Sequence, residues 1–195
     1  MGVVLALKFS AAACGDGDTG ERQPTKPAAT GPTATETTNG TSPVGLRYEN
    51  ADLGFTVEYP ESWVADKNPQ QTGVVVVFFA TESAGDGFAE NVNVAGPEDL
   101  PPGFTSKQYA KAGWENFRPL LRDVDVIEQR DLTIGGAPAF SMEYEANFQG
   151  QRLHWLQAFL VDGARGFVLT YTGRSGNFDT YRPDAEAVIG SFRLT

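Results

Sequence analysis

The clearest alternation of apolar and polar positions opens at residues 54–63, GFTVEYPESW, where Phe55, Val57 and Tyr59 alternate with Thr56 and Glu58. A period of two predicts a strand with one buried and one wet face. Pro60 lacks an N–H and fixes its own φ, so the ladder ends there and the following turn returns Trp63 to cap the core. Val74 to Phe79 is apolar on both faces and too short for a helix, which predicts a central strand covered from both sides. Asn91 to Ala95, with Val92 and Val94 alternating, predicts the next strand, reached through a flexible loop Ser83 to Gly87.

After the breaker Leu100-Pro101-Pro102-Gly103 the period changes, and the spacing predicts a helix over Ser106 to Leu121. Thr105 and Gln108 have capping-box spacing. Tyr109 or Ala110, Gly113, Phe117 and Leu120 or Leu121 make one stripe, Trp114 sits at its margin, and Pro119 ends or bends the last turn.

The second half returns to a period of two. Asp123 to Ile134 carries Val124, Val126, Leu132 and Ile134 on even positions, with Glu128 and Arg130 interrupting them, which predicts a bulge. Beyond the turn at Gly135-Gly136, Ala139 to Phe148 places Phe140, Met142, Tyr144, Ala146 and Phe148 inward. Ser141, Glu143, Glu145 and Asn147 then point outward. Gln149-Gly150-Gln151 connects to Leu153 to Val161, with Leu153, Trp155, Phe159 and Val161 on one face, and a turn at 162–166 leads to Phe167, Leu169 and Tyr171. Phe178 to Phe192 reads as a closing helix with Asp179 as N-cap, Pro183 in the first turn, and Tyr181, Ala185, Val188 and Ile189 on one face. Strands, helix, meander and helix in that order indicate an α+β domain, a mostly antiparallel sheet with helices packed on it.

Residues 1–45 are built differently. Met1 to Cys14, MGVVLALKFSAAAC, is a short apolar run ending in three alanines and the single cysteine. It resembles a bacterial lipoprotein signal, in which Cys14 is lipidated and becomes the mature N-terminus. Residues 15–45 are rich in Thr, Gly, Pro and Ala with almost no side chains to bury, which predicts a disordered tether. The expected organisation is therefore a signal segment over 1–14, a tether over 15–45 and a globular domain over 46–195.

Composition narrows the function classes. The formal charge is −10, and residues 45–195 hold 12 Lys and Arg against 21 Asp and Glu, so a phosphate backbone is repelled and nucleic acid is an unfavoured partner. One cysteine and one histidine exclude an intramolecular disulfide and a thiolate zinc cluster. Neither a metal nor a cofactor is expected.

The lone His154 shares its strand face with Arg152 and Leu156, and Glu143 or Glu145 stands opposite across the hairpin, the beginnings of a histidine–carboxylate pair. The commoner outcome for such a histidine is a partly exposed structural ion pair. Asp123, Asp125, Glu128 and Asp131 lack the spacing and glycine of an EF-hand. Glu143 with Glu145 on one strand face suits a solvated surface better than two acids flanking a bond. No catalytic residue is assigned, and the one modification site assigned is Cys14.

Tyr48 to Trp63, a strand followed by GFTVEYPESW, resembles the opening of the PsbP-like superfamily, and FDTYRPDAEAVIGSFRL at 178–194 is similar to its last helix and terminal strand. The resemblance implies an α/β/α sandwich around an antiparallel sheet. Its members include a photosystem II extrinsic subunit, a Ran-binding import factor and bacterial envelope lipoproteins, chiefly binding or accessory proteins. It carries no site residue, because the matching positions are packing positions. The expectation is a lipid-anchored extracytoplasmic binding or accessory module, whose partners are the membrane through Cys14 and an envelope protein or small ligand. The alternatives are a carrier of a small apolar ligand or lipid, and an envelope hydrolase using His154 and carboxylates.

Overall fold

A computed structural model describes residues 44–81 and 87–195. Cys14, most of the 15–45 segment and most of the 83–87 loop lie outside the described residues; Val44 and Gly45 belong to the first strand.

Ten strands and two α-helices follow in the order β1 (Val44–Asn50), β2 (Phe55–Pro60), β3 (Trp63–Asp66), β4 (Val74–Ala80), β5 (Asn91–Asp99), α1 (Ser106–Phe117), β6 (Arg122–Ile134), β7 (Ala137–Phe148), β8 (Gln151–Asp162), β9 (Arg165–Arg174), α2 (Phe178–Ser191) and β10 (Arg193–Leu194). Seven strands form one sheet, ordered β3-β4-β5-β9-β8-β7-β6, and every neighbouring pair is antiparallel. β1, β2 and β10 form a second, small sheet.

The large sheet is covered on both faces, and each face has its own core. On one side α1 packs over Phe140, Met142, Tyr144, Trp155, Phe159 and Val168. On the other, α2 and the small sheet cover Val92, Val94, Leu156, Leu160, Phe167, Leu169 and Tyr171. A strand buried on both faces cannot show polar alternation, which explains why β8 and β9 are almost continuously buried. Among the described residues no helix is long and apolar enough to cross a membrane.

Most predicted elements are present, with instructive differences. Thr105 and Gln108 form the capping box, but the α-helix stops at Phe117 and Arg118–Leu120 tightens into a 3-10 turn around Pro119. Trp63 is buried, yet it opens a strand of the large sheet. The β6 bulge is real: the register with β7 shifts between Val126 and Glu128, so Val126 lies on the α1 face while Leu132 and Ile134 join the α2 face. Asn177, rather than Asp179, is the N-cap of α2, and Pro183 lies beyond the first turn inside the helix. Phe192 falls outside the helix and plugs the core between the small sheet and Phe167.

The largest correction concerns β7. Ser141 and Glu143, read as outward and solvated, are 3% exposed because α2 lies on that face. Alternation reports which face is more apolar, and a polar face sealed by a helix carrying complementary charge has the same pattern as one facing water.

Candidate functional site

Beneath α2 lies a chain of ionic contacts centred on Glu143. Arg182 on α2 donates from Nη1 to Glu143 Oε1 at 2.9 Å and from Nη2 to Oε2 at 2.8 Å, a two-point clamp of the kind planar guanidinium favours. His154 Nε2 stands 2.9 Å from Glu143 Oε1, and its Nδ1 lies 3.3 Å from Glu145 Oε1. Glu145 in turn accepts from Arg152, which also reaches Asp125 and the Asp123 carbonyl. Arg182 additionally donates to Glu186, one turn further along α2.

Strand register produces this cluster. Glu145 is directly opposite His154, Glu143 sits one pair along on the same face, and Arg152 follows His154 on the alternate position. Phe178 roofs the site, its ring stacked on the imidazole at 3.5 Å between centroids and 9° between planes. The Tyr171 hydroxyl donates to the Phe178 carbonyl at 2.8 Å and so fixes where α2 begins. Burial holds the His154 pKa below the ordinary histidine value, against the pull of Glu143 and Glu145. The neutral ring has one N–H to donate, and both of its nitrogens face carboxylate oxygens.

His154 therefore meets both carboxylates anticipated for it, as a buried rather than a partly exposed histidine. Contact is what a base requires, but access is a second requirement: His154 is 7% exposed, both ring nitrogens face acids, and Phe178 covers the ring. The four acids of β6 are dispersed along its edge: Asp123 accepts from Asn147, Asp125 from Arg152, and Glu128 pairs with Arg130. Among the described residues no three His, Cys, Asp or Glu side chains are grouped so as to hold a metal. Arg182 and Phe178 were not singled out by sequence; the Arg182/Glu186 spacing was visible, but nothing local linked either to β7.

The other face carries an open groove. Between α1 and the edge of the large sheet lies a space of about 370 Å³ walled by Trp114, Phe140 and Met142, with Lys107, Gln108 and Lys111 along the helix and Gln129 on β6. Trp114 leans edge-on against Tyr144 at 4.9 Å, and the Lys107 ammonium stands 5.5 Å from the Phe140 ring. Tyr144 is paired with Val126, and Val126 and its neighbour Ile127 are each about half exposed on the sheet edge. Trp114, expected at the stripe margin, thus forms part of a wall open to solvent.

No family model matches the chain, and no curated protein matches it. Solved structures do. The cyanobacterial PsbP (CyanoP) of Synechocystis is 18% identical with a TM-score of 0.59, covering 77% of this chain and 92% of that one. LpqN, described as involved in cell envelope biogenesis of Mycobacterium tuberculosis, is 14% identical with a TM-score of 0.54, over 77% of this chain and 90% of that one. A protein of Bacteroides thetaiotaomicron is 15% identical with a TM-score of 0.54, over 78% of this chain and 49% of that one. At these identities the likeness is one of fold, and the chain has the PsbP-like fold that GFTVEYPESW and the closing helix implied.

Proposed function

We propose that this chain is a non-catalytic, extracytoplasmic binding or accessory module, held at a membrane by lipid on Cys14 through the 15–45 tether. The carrying observation is the open groove beside α1: three large apolar side chains and two flexible lysines, flanked by the exposed Val126 and Ile127. Phe140 and Met142 are themselves mostly buried, so the half-exposed Val126 and Ile127 supply most of the apolar surface open to a partner, beside a concave wall of the kind partner contacts use. The ionic cluster under α2 has the opposite character, since its groups satisfy one another and hold a helix to a sheet, and that supports a structural role for His154. The fold shared with LpqN and with cyanobacterial PsbP is compatible with accessory work in an envelope. A tether would raise the module's effective concentration near membrane partners.

Two experiments test the reading. A photo-crosslinking side chain at Lys111 in intact cells should capture a defined partner that the same group at the exposed Asp66 does not; identical capture at both positions sinks the binding assignment. Cys14→Ala should release the protein from the membrane fraction and remove the lipid mass, and retention of either sinks the anchor. The carrier alternative is less well supported, because a carried apolar molecule is usually enclosed over 70–90% of its surface whereas this groove is open along one side.

A further inference from the structure

β6 is the last strand of the large sheet, and among the described residues β7 is its only strand partner. Its other side is a free edge 13 residues long, and ten of those residues are exposed. Natural sheets blunt their edges with short strands, charges and bulges. The opposite edge, β3, is only four residues long. The first half of β6 is bulged: its register with β7 shifts between Arg122 and Asp125 and again between Val126 and Glu128. From Glu128 to Ile134 the register is unbroken, and two of the charges there, Glu128 and Arg130, pair with each other at 3.4 Å. Alternate residues of a regular edge strand point N–H and C=O groups away from the sheet, so this half of β6 is a template for one more strand.

Two spaces flank that half, one on each face. On the α1 face lies the groove of about 370 Å³, which Gln129 lines from β6. On the α2 face a second space of about 180 Å³ is lined by Ile189 and Gly190 of α2, Arg130 and Leu132 of β6, and Ala158. Register accounts for the placement, since Gln129 is opposite Met142 on the first face and Arg130 is opposite Ser141 on the second. Side chains of a strand added to β6 would alternate between the same two faces, one falling at the groove and the next at the smaller space. The sheet separates the two spaces, and a chain running along its edge reaches both.

Their linings differ in chemistry. The groove has Trp114, Phe140 and Met142 with Lys107 and Lys111 and no acid, which suits a large apolar side chain beside a carboxylate. Lys111 also meets Glu115 at 3.7 Å, an exposed pair that competes little for it. The smaller space suits a short or β-branched side chain. A second copy of the chain brings the same net charge of −10 and is repelled as a whole, so a different polypeptide is the better occupant.

We infer that an extended segment of a partner protein, alternating apolar residues and carrying an acid, adds as a strand to β6 along Glu128–Ile134 and sets its side chains by turns into the two spaces. The inference rests on the binding-module reading and deepens it, giving the partner a backbone conformation and a side-chain pattern.

The test begins by panning a displayed library of random heptapeptides on the full chain and synthesising the enriched sequence. The expected pattern is a large apolar residue alternating with small or β-branched ones, with Asp or Glu two positions from the large residue. N-methylation then separates strand addition from packing in a groove. Methyl groups on the alternate amides that face β6 should weaken binding more than about tenfold, whereas the same number on the other amides should leave it within about threefold. Amides of Glu128–Ile134 should gain protection from exchange when peptide binds. At Gly190 a Cβ meets nothing within 4 Å, so Gly190→Leu fills the smaller space without strain and should weaken binding about tenfold while stability holds. Lys107→Glu with Lys111→Glu should turn the preference from acidic to basic peptides. No enriched sequence overturns the inference, and the crosslink at Lys111 then decides the binding reading by itself. Equal losses from both methylation patterns overturn it while leaving the groove a binding site. Protection of Glu128–Ile134 that rises with protein concentration in the absence of peptide assigns the edge to a second copy and overturns it too.

Discussion

Arg182 and Glu143, 39 residues apart, are joined by two parallel hydrogen bonds of 2.9 and 2.8 Å, and that clamp fastens α2 to the middle of the large sheet. Glu143 is almost wholly enclosed, so its charge has no water to fall back on. Removing the guanidinium in Arg182→Leu should therefore cost about 3 kcal/mol. The double variant Arg182→Leu/Glu143→Met, which removes both charges, should regain most of that loss. Urea unfolding of the four proteins in the cycle measures it, and equal losses in the single and double variants would show that the charge pair is not what α2 depends on.

His154 should make stability fall on acidification. Its folded pKa is below the unfolded value, so the unfolded chain takes up a proton first as pH drops. The contribution is complete above about pH 6.5 and declines from there down to the folded pKa, by at most about 1.4 kcal/mol per pH unit. The charged groups facing the ring are Glu143, Glu145 and Arg182. Comparing denaturation midpoints of wild type and His154→Gln between pH 7.5 and 5 isolates the effect, because the difference between the two curves should shrink as pH falls. A difference that widens instead would mean that the folded pKa is raised.

Gly166 leaves room for the α1 side of the sheet to close. A Cβ there would sit 2.7 Å from Leu100 Cδ1 and 2.8 Å from the Tyr109 ring, and Tyr109 is buried and tied to Glu98 through its hydroxyl. Gly166→Ala should lower stability by about 1–3 kcal/mol through overpacking. Leu100→Ala in the same chain should recover part of the loss in thermal unfolding.

The capping box at Thr105 should contribute locally. Thr105→Ala removes the acceptor for the Gln108 N–H and should cost about 1 kcal/mol. Faster amide exchange confined to the first turn of α1 is the expected signature, and unchanged exchange there would count against it.

Val126, half exposed at the edge of the groove, should matter more for partners than for folding. Val126→Asp should change stability by less than about 1 kcal/mol while sharply reducing capture by a crosslinker at Lys111. Undiminished capture would move the contact surface elsewhere.

How much of this was legible in the chain depends on how local each cause is. The β6 bulge, the Thr105–Gln108 cap and the Gly135-Gly136 turn were readable because each arises from residues within a few positions of one another. That His154 would face Glu143 or Glu145 across the hairpin was readable too, because the Gln149–Gly150 turn joins the two strands; the register itself, Glu145 opposite His154, came from the structure. The short strand β3 was missed, since four residues with one buried aromatic carry too little periodicity to be recognised.

Local alternation, turn residues and capping thus determined the elements, their order and the α+β class, because each is encoded in neighbouring side chains acting on a backbone of fixed period. Tertiary structure alone decided which polar face would be sealed. Glu143 and Glu145 have the spacing of a wet surface, and only the arrival of α2, bringing Arg182 and Phe178 from 30 to 40 residues away, turned that surface into a buried ionic joint. Tertiary structure also gathered Gln71, Asn91, Gln149 and Thr172 from four separate segments around one cavity. Charge complementarity and shared enclosure act through space, and no window of sequence contains both partners.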